Sequence, residues 1–156
     1  MAEIPIRCFI ASVIALRKTE MGHQVLLLRR TQSLVGEWCQ IAGGIEDGEA
    51  AWETGLRELS EETGLSPIAY FSADICEQFY EVSRDAITLA PVFVAYIDNA
   101  AQVIINHEHS AYHWASFDEA VEMVAFGGQR KVLRHIEEEF VHRVPSKHLN
   151  IEMPKK

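Results

Sequence analysis

Residues 43–65 read GGIEDGEAAWETGLRELSEETGL. Gly64 and Pro67 close the stretch, so the sequence predicts a helix over 49–63 that follows a glycine pair. Seven of its 23 residues are acids (Glu46, Asp47, Glu49, Glu53, Glu58, Glu61 and Glu62), and Arg57 is the one base. With Trp52 at zero and about 100° per residue, Leu56 and Leu59 fall within about 40° of Trp52 and make the expected buried stripe. Glu58, Glu61 and Glu62 share a separate arc about 100° wide. Like charges at i,i+4 cost a helix roughly 0.2–0.5 kcal/mol per pair, so compensation from outside the chain is expected. Carboxylates at i, i+3 and i+4 suit Mg²⁺ or Mn²⁺, which take oxygen ligands and keep waters and phosphate oxygens in their shell. A merely solvated face would mix signs, and no lysine neighbours these acids. Arg57 has two readings: an i,i+4 ion pair with Glu53 or Glu61, and an orienting role for catalytic carboxylates.

Outward from this helix the pattern is mixed. Strands are expected at 9–16, 24–30, 68–82, 86–97, 102–106 and 111–115, with a short extended segment at 37–44. Ser116 and Glu119 have the S-x-x-E capping form and open a helix to about 125. Gly127 and Gly128 are expected to break it, before a last helix over 129–142 whose apolar face is Val132, Leu133, Ile136, Phe140 and Val141. The chain after Pro145 reads as a frayed tail. The fold class is α+β, a mixed sheet with helices packed on it, in one domain over 1–145 with a tail over 146–156.

Composition sets the outer limits. The chain has 156 residues, 48% hydrophobic, enough for one buried core. Its formal charge of −9 opposes binding along an extended nucleic acid but not a small anion bridged by a cation. Cys8, Cys39 and Cys76 form no C-x-x-C and read as reduced thiols of a cytoplasmic protein. The apolar run after Arg7 is too short for a membrane span and reads as a buried strand rather than a leader. Monomer and homodimer both remain open.

Gly43, Glu49, Arg57, Glu58, Leu59, Glu61, Glu62, Gly64 and Leu65 match the Nudix box at every specified position. The chain therefore resembles the Nudix hydrolases. The resemblance implies an α/β/α sandwich with a mixed sheet and Mg²⁺-dependent hydrolysis of a nucleoside diphosphate linked to another group, with Mn²⁺ as a substitute ion. It implies metal ligation by Glu58, Glu61, Glu62 and the Gly43 carbonyl, with Glu49 and Arg57 in support. Ala42 stands where many members have proline, which leaves the chemical ligands in place. A nucleotide-sensing module of the same fold is the non-enzyme alternative, and the intact carboxylates favour the enzyme.

For the substrate, NHEHSAYHWASFDEA (106–120) resembles a segment of bacterial dihydroneopterin triphosphate/dATP pyrophosphohydrolases in this family. By that resemblance Glu108 is a further metal ligand or general base; the plain alternative is a loop acid. His107 and His109 read as polar surface, and Tyr112 and Trp114 as packing. Arg29 and Arg30 end a strand, where alternation lets one of them face a terminal phosphate. Trp38 could stack on a base or pterin ring or pack in the core, and Tyr80 is a weaker aromatic candidate. The expected reaction is cleavage of a nucleoside or pterin triphosphate to monophosphate and pyrophosphate. ADP-ribose, a dinucleoside polyphosphate and capped RNA are the alternatives.

Overall fold

The computed structural model describes residues 1–154. Eight strands form one sheet: β1 (Ile6–Arg7), β2 (Ile10–Thr19), β3 (Gly22–Arg30), β4 (Trp38–Cys39), β5 (Ile41–Gly44), β6 (Ala69–Glu81), β7 (Ala86–Tyr96) and β8 (His109–Ala115). The helices are α1 (Ala51–Thr63), α2 (Phe117–Met123) and α3 (Gly127–Ile136), the last extended by a π-helical turn over Glu137–His142. β2 lies at the centre. It is antiparallel to β3 and β5 and parallel to β7, while β6 flanks β7 and β8 flanks β3.

Strand alternation sorts the core into two layers. Val13, Leu26, Leu28, Ile41 and Phe93 face α1 through Leu59. Ile14, Leu16, Leu27, Val92 and Val94 face α2 and α3 through Phe117, Val132, Leu133, Ile136 and Phe140. Helices on both faces of a mixed sheet are the expected α/β/α sandwich. Ser116 caps α2 by accepting from the Glu119 N–H at 3.1 Å, as its sequence form predicts.

Four local expectations fail. Residues 102–106 build no strand: Val103 and Ile105 pack on the α1 layer and Ile104 is exposed, but the segment joins no ladder, and Ile104 N–H donates to the Thr63 carbonyl at 2.9 Å. Alternation alone satisfied burial there without pairing. Gly127 and Gly128 do not precede the last helix but form its first turn; the break falls at 124–126, where Gln129 Oε1 accepts the Phe126 N–H at 3.1 Å. The stretch after Pro145 is docked: Asn150 bridges Phe71, Ile151 N–H donates to the Tyr70 carbonyl at 2.8 Å, and Ile151 and Met153 pack on the α1 layer. Residues 155 and 156 lie outside the described residues. Finally, the buried face of α1 is Thr54, Gly55, Glu58, Leu59, Glu62 and Thr63, whereas Trp52 and Leu56 are half-buried at its flank.

Candidate active site

That last difference carries chemistry, because α1 turns two carboxylates toward the sheet. Glu58 and Glu62 are 9% and 3% exposed, whereas Glu61 projects outward with its side chain 56% exposed. Room for Glu58 comes from Gly43 in β5: a Cβ there would lie 2.1 Å from the Glu58 carboxyl carbon. Side chains essentially never approach so closely, so only glycine lets this strand pass the carboxylate.

Arg57 ties the loop to the helix. Its guanidinium donates to Glu49 at 2.8 and 3.0 Å, to Glu58 at 2.8 Å, to Glu61 at 3.3 Å and to the Gly44 carbonyl at 2.9 Å. The two readings of Arg57 are therefore one arrangement, although the Glu53 pair is absent: Glu53 instead accepts from the Ala50 N–H at 3.0 Å at the helix start. Glu49 also accepts from the Thr54 hydroxyl at 2.6 Å and from the Glu46 N–H at 3.2 Å. These donors, Arg57 first, hold its carboxyl down at about 2. Arg57 is pushed upward in turn by the Glu49 bond.

Glu62 behaves oppositely. Burial, then the charges of Glu58 and Glu108, push it up to about 9. Glu58 is raised chiefly by burial, against the pull of Arg57. Glu62, Glu108 and His109 bring ligand atoms within 4.8 Å of one another. Glu108 is exposed on a loop pinned to the end of β3, where its carbonyl accepts from the Thr31 N–H at 3.3 Å and hydroxyl at 2.9 Å. His109 corrects the surface reading: it is 8% exposed, pairs with Arg30 in the β3–β8 ladder, and sits 3.8 Å from Glu62. Its pKa is lowered by burial, so the ring is neutral at neutral pH. Among the described residues, Glu62 Oε2 and His109 Nδ1 are both buried without a hydrogen-bond partner. Two orphaned ligand atoms, crowded carboxyls and a backbone cradle at Gly43 fit a hard divalent cation.

The other candidates divide between the faces. Arg30 lies on the α1 side, near enough to Glu62 and His109 to influence both, and is braced by Ser33 and by the Cys39 thiol at 3.8 Å. Arg29 lies on the other face, its Nε 3.4 Å from the Gly36 carbonyl. Trp38 pairs with Arg29, packs half-buried on the α2–α3 layer and meets His113 edge-on at 6.3 Å. Tyr80 stands near the end of β6 and donates its hydroxyl to Asp85 at 2.7 Å. Sequence reasoning missed Gln40, Glu77 and Gln129, which hydrogen-bond in a chain on the α3 side. A signal was present: Gln40 alternates with Cys39 and Ile41, both buried.

The NUDIX domain family model matches residues 9–136. This chain belongs to the Nudix family. It is a Nudix hydrolase acting on a phosphoanhydride bond, in a family that generally uses divalent metal ions. It is 31% identical to the asymmetrical bis(5'-nucleosyl)-tetraphosphatase of Sus scrofa over 114 residues, 69% of this chain and 75% of that protein. It is 29% identical over 131 residues to an octanoyltransferase of Myxococcus xanthus, covering 83% of this chain and 36% of that protein's length. The E. coli dihydroneopterin triphosphate pyrophosphohydrolase structure superposes with a TM-score of 0.69 at 20% identity, over 90% of this chain and 99% of that one. No helix among the described residues is long and apolar enough to cross a membrane.

Proposed function

We propose that this Nudix hydrolase cleaves a nucleoside triphosphate or the related pterin triphosphate to monophosphate and pyrophosphate, using Mg²⁺ with Mn²⁺ as substitute. The observation that carries the metal site is the buried, unpartnered Glu62 Oε2 beside Glu58, Glu108 and Gly43. Glu58, Glu61, Glu62, Glu108 and the Gly43 carbonyl are the ligand set. Bound there, the ion offsets phosphate charge and lowers the pKa of a coordinated water. Arg57 fixes Glu58 and Glu61 relative to the loop, so the donors are preorganised. Glu61 and Glu108, the exposed acids of the set, are the candidates to take the water's proton. Arg30 is the cation for a terminal phosphate. Substrate and product are small molecules, and the setting is the cytoplasm.

A second substrate reading, a dinucleoside tetraphosphate, is supported by the Sus scrofa relative. One experiment tests both. The protein is incubated with Mg²⁺ and dNTPs, NTPs, dihydroneopterin triphosphate, diadenosine tetraphosphate, ADP-ribose or capped RNA, beside a Glu61→Gln/Glu62→Gln control. Monophosphate and pyrophosphate from a triphosphate, lost in the control, is the expected result. Preferred cleavage of the dinucleoside moves the substrate and keeps the metal site. Full turnover by the control overturns the ligand assignment.

A further inference from the structure

Glu108 differs from the other proposed ligands in what carries it. Glu58, Glu61 and Glu62 stand on α1, and the Gly43 carbonyl belongs to β5. Glu108 is exposed, in a turn between the unladdered residues 102–106 and the start of β8 at His109. A loop carboxylate reaches a metal only as accurately as the backbone beneath it is held. Two side chains outside the ligand set hold that backbone.

Asn106 holds it from within the turn. Its Oδ1 accepts the Glu108 N–H at 3.1 Å, and its carbonyl accepts the His109 N–H at 3.3 Å. A side-chain oxygen bonded to the backbone two residues on makes an Asx turn, which fixes the local course of the chain. Thr31 holds the same turn from across the sheet. It follows the last residue of β3, and its hydroxyl lies 2.9 Å from the Glu108 carbonyl and 3.2 Å from that of His107. Its N–H donates to the Glu108 carbonyl at 3.3 Å. Any residue except proline would supply that N–H, whereas the shorter bond needs the hydroxyl.

A bulge delivers the turn to this clamp. Ala111 pairs with Arg29 and His109 with Arg30, so Ser110 is an extra residue in β8. Strict alternation would put Ser110 opposite Arg30 and turn His109 to the α2–α3 face. The bulge instead turns His109 in beside Glu62, 3.8 Å away, and brings the Glu108 carbonyl to Thr31. Arg30 and Thr31 are consecutive, so one strand end carries both the cation assigned to a terminal phosphate and the anchor of the loop carboxylate.

We propose that Thr31 and Asn106 are positioning residues for the Glu108 carboxylate, setting its place beside Glu62 through the backbone of residues 107 and 108. The assignment deepens the hydrolase reading and rests on Glu108 being a metal ligand. Neither side chain touches the metal or the substrate. Each acts by fixing the direction from which Glu108 enters the site.

The test reads metal binding rather than turnover. Mn²⁺ affinity of the full chain is measured from the paramagnetic resonance of the free ion, at one pH and without substrate. Thr31→Val and Asn106→Ala are each expected to weaken binding by about tenfold, the lower end for losing a group that orients a ligand. Thr31→Ser, which keeps the hydroxyl, stays near wild type. Glu108→Gln weakens binding, and in that background Thr31→Val adds no further loss, because the group it positions is gone. Equal losses from Thr31→Val in both backgrounds overturn the proposal, since the residue would then act on the fold at large. Wild-type affinity in Thr31→Val and Asn106→Ala, beside a loss in Glu108→Gln, overturns the positioning role and keeps Glu108 as a ligand. Wild-type affinity in Glu108→Gln overturns both statements about this loop and leaves Glu58, Glu61 and Glu62 as the metal site. A wild type that shows the expected binding pattern but hydrolyses none of the substrates sustains the positioning role while the reaction assignment falls.

Discussion

The backbone of Gly43 lies so close to Glu58 that a Cβ would fall 2.1 Å from its carboxyl carbon. The strand cannot easily yield, because Gly43 pairs with Ala11 on the central strand β2. Gly43→Ala is therefore expected to displace Glu58 rather than β5. Overpacking of this kind costs about 1–3 kcal/mol in stability, and a carboxylate moved by about 1 Å costs on the order of 10²-fold in turnover. Denaturant unfolding and Mg²⁺-dependent kinetics measure the two effects separately. Wild-type kinetics in the folded variant would show that Glu58 need not occupy this position.

Among the described residues, Arg57 is the one side chain that touches Glu49, Glu58, Glu61 and the Gly44 carbonyl together. Arg57→Ala is expected to weaken Mg²⁺ affinity about 10–100-fold, the usual effect of losing a group that orients metal ligands. Arg57→Lys should recover little, since a single ammonium cannot reproduce a planar fork spread over four acceptors. Mg²⁺ titration of activity checks both. Near-wild-type affinity in Arg57→Ala would confine its role to the ion pair.

Glu62 makes metal binding depend on pH. Its folded value of about 9 lies above the ordinary unfolded value near 4.3, so between those limits the folded chain holds a proton the unfolded chain has released. The stability of the metal-free protein therefore falls as pH rises through that window, and Glu58, raised chiefly by burial, acts in the same direction. A cation ligated by Glu62 must expel the proton, so Mg²⁺ binds more tightly and stabilises more as pH rises from about 6 to about 9. The measurement is the Mg²⁺-induced change in Tm across that range. Glu62→Gln should flatten both trends, and a metal effect independent of pH would show that Glu62 is not protonated in the metal-free state.

The box acids were legible because their spacing is local: an i, i+3, i+4 pattern on a helix needs no tertiary information. Their burial was not legible. A helical wheel ranks residues by polarity and so chose Trp52 and Leu56 over Gly55, Glu58 and Glu62. The sheet chose otherwise, because small Gly43 and Gly55 admit a carboxylate and an aromatic ring that hydrophobicity alone would not place inside. His109 was hidden for a related reason. Its neighbour Glu62 is 47 positions away in the chain, and the two meet through tertiary packing, with His109 paired to Arg30 in the β3–β8 ladder and Glu62 on the buried face of α1. Residues 102–106 erred in reverse, since their alternation is real and the missing ladder depends on where other strands lie.

Gly55 offers the sharpest check on how α1 is held. A Cβ there would lie 2.2 Å from the Tyr70 hydroxyl oxygen and 3.0 Å from a Val13 methyl. Tyr70 is fully buried, and its hydroxyl donates to the Trp52 carbonyl at 3.0 Å, pinning one turn of the helix to the sheet. In an exposed helix, glycine to alanine would stabilise by about 1 kcal/mol; here Gly55→Ala is expected to destabilise by about 1–3 kcal/mol through overpacking. Tyr70→Phe alone should cost about 1 kcal/mol for the lost hydrogen bond. Combined, the substitutions remove the closest clash, so the double variant should be more stable than the two single losses add up to, with a coupling of about 1 kcal/mol or more. Urea unfolding of the four proteins measures that coupling. Additive losses would mean that Val13, and not the tyrosine hydroxyl, sets how closely the carboxylate helix approaches the sheet.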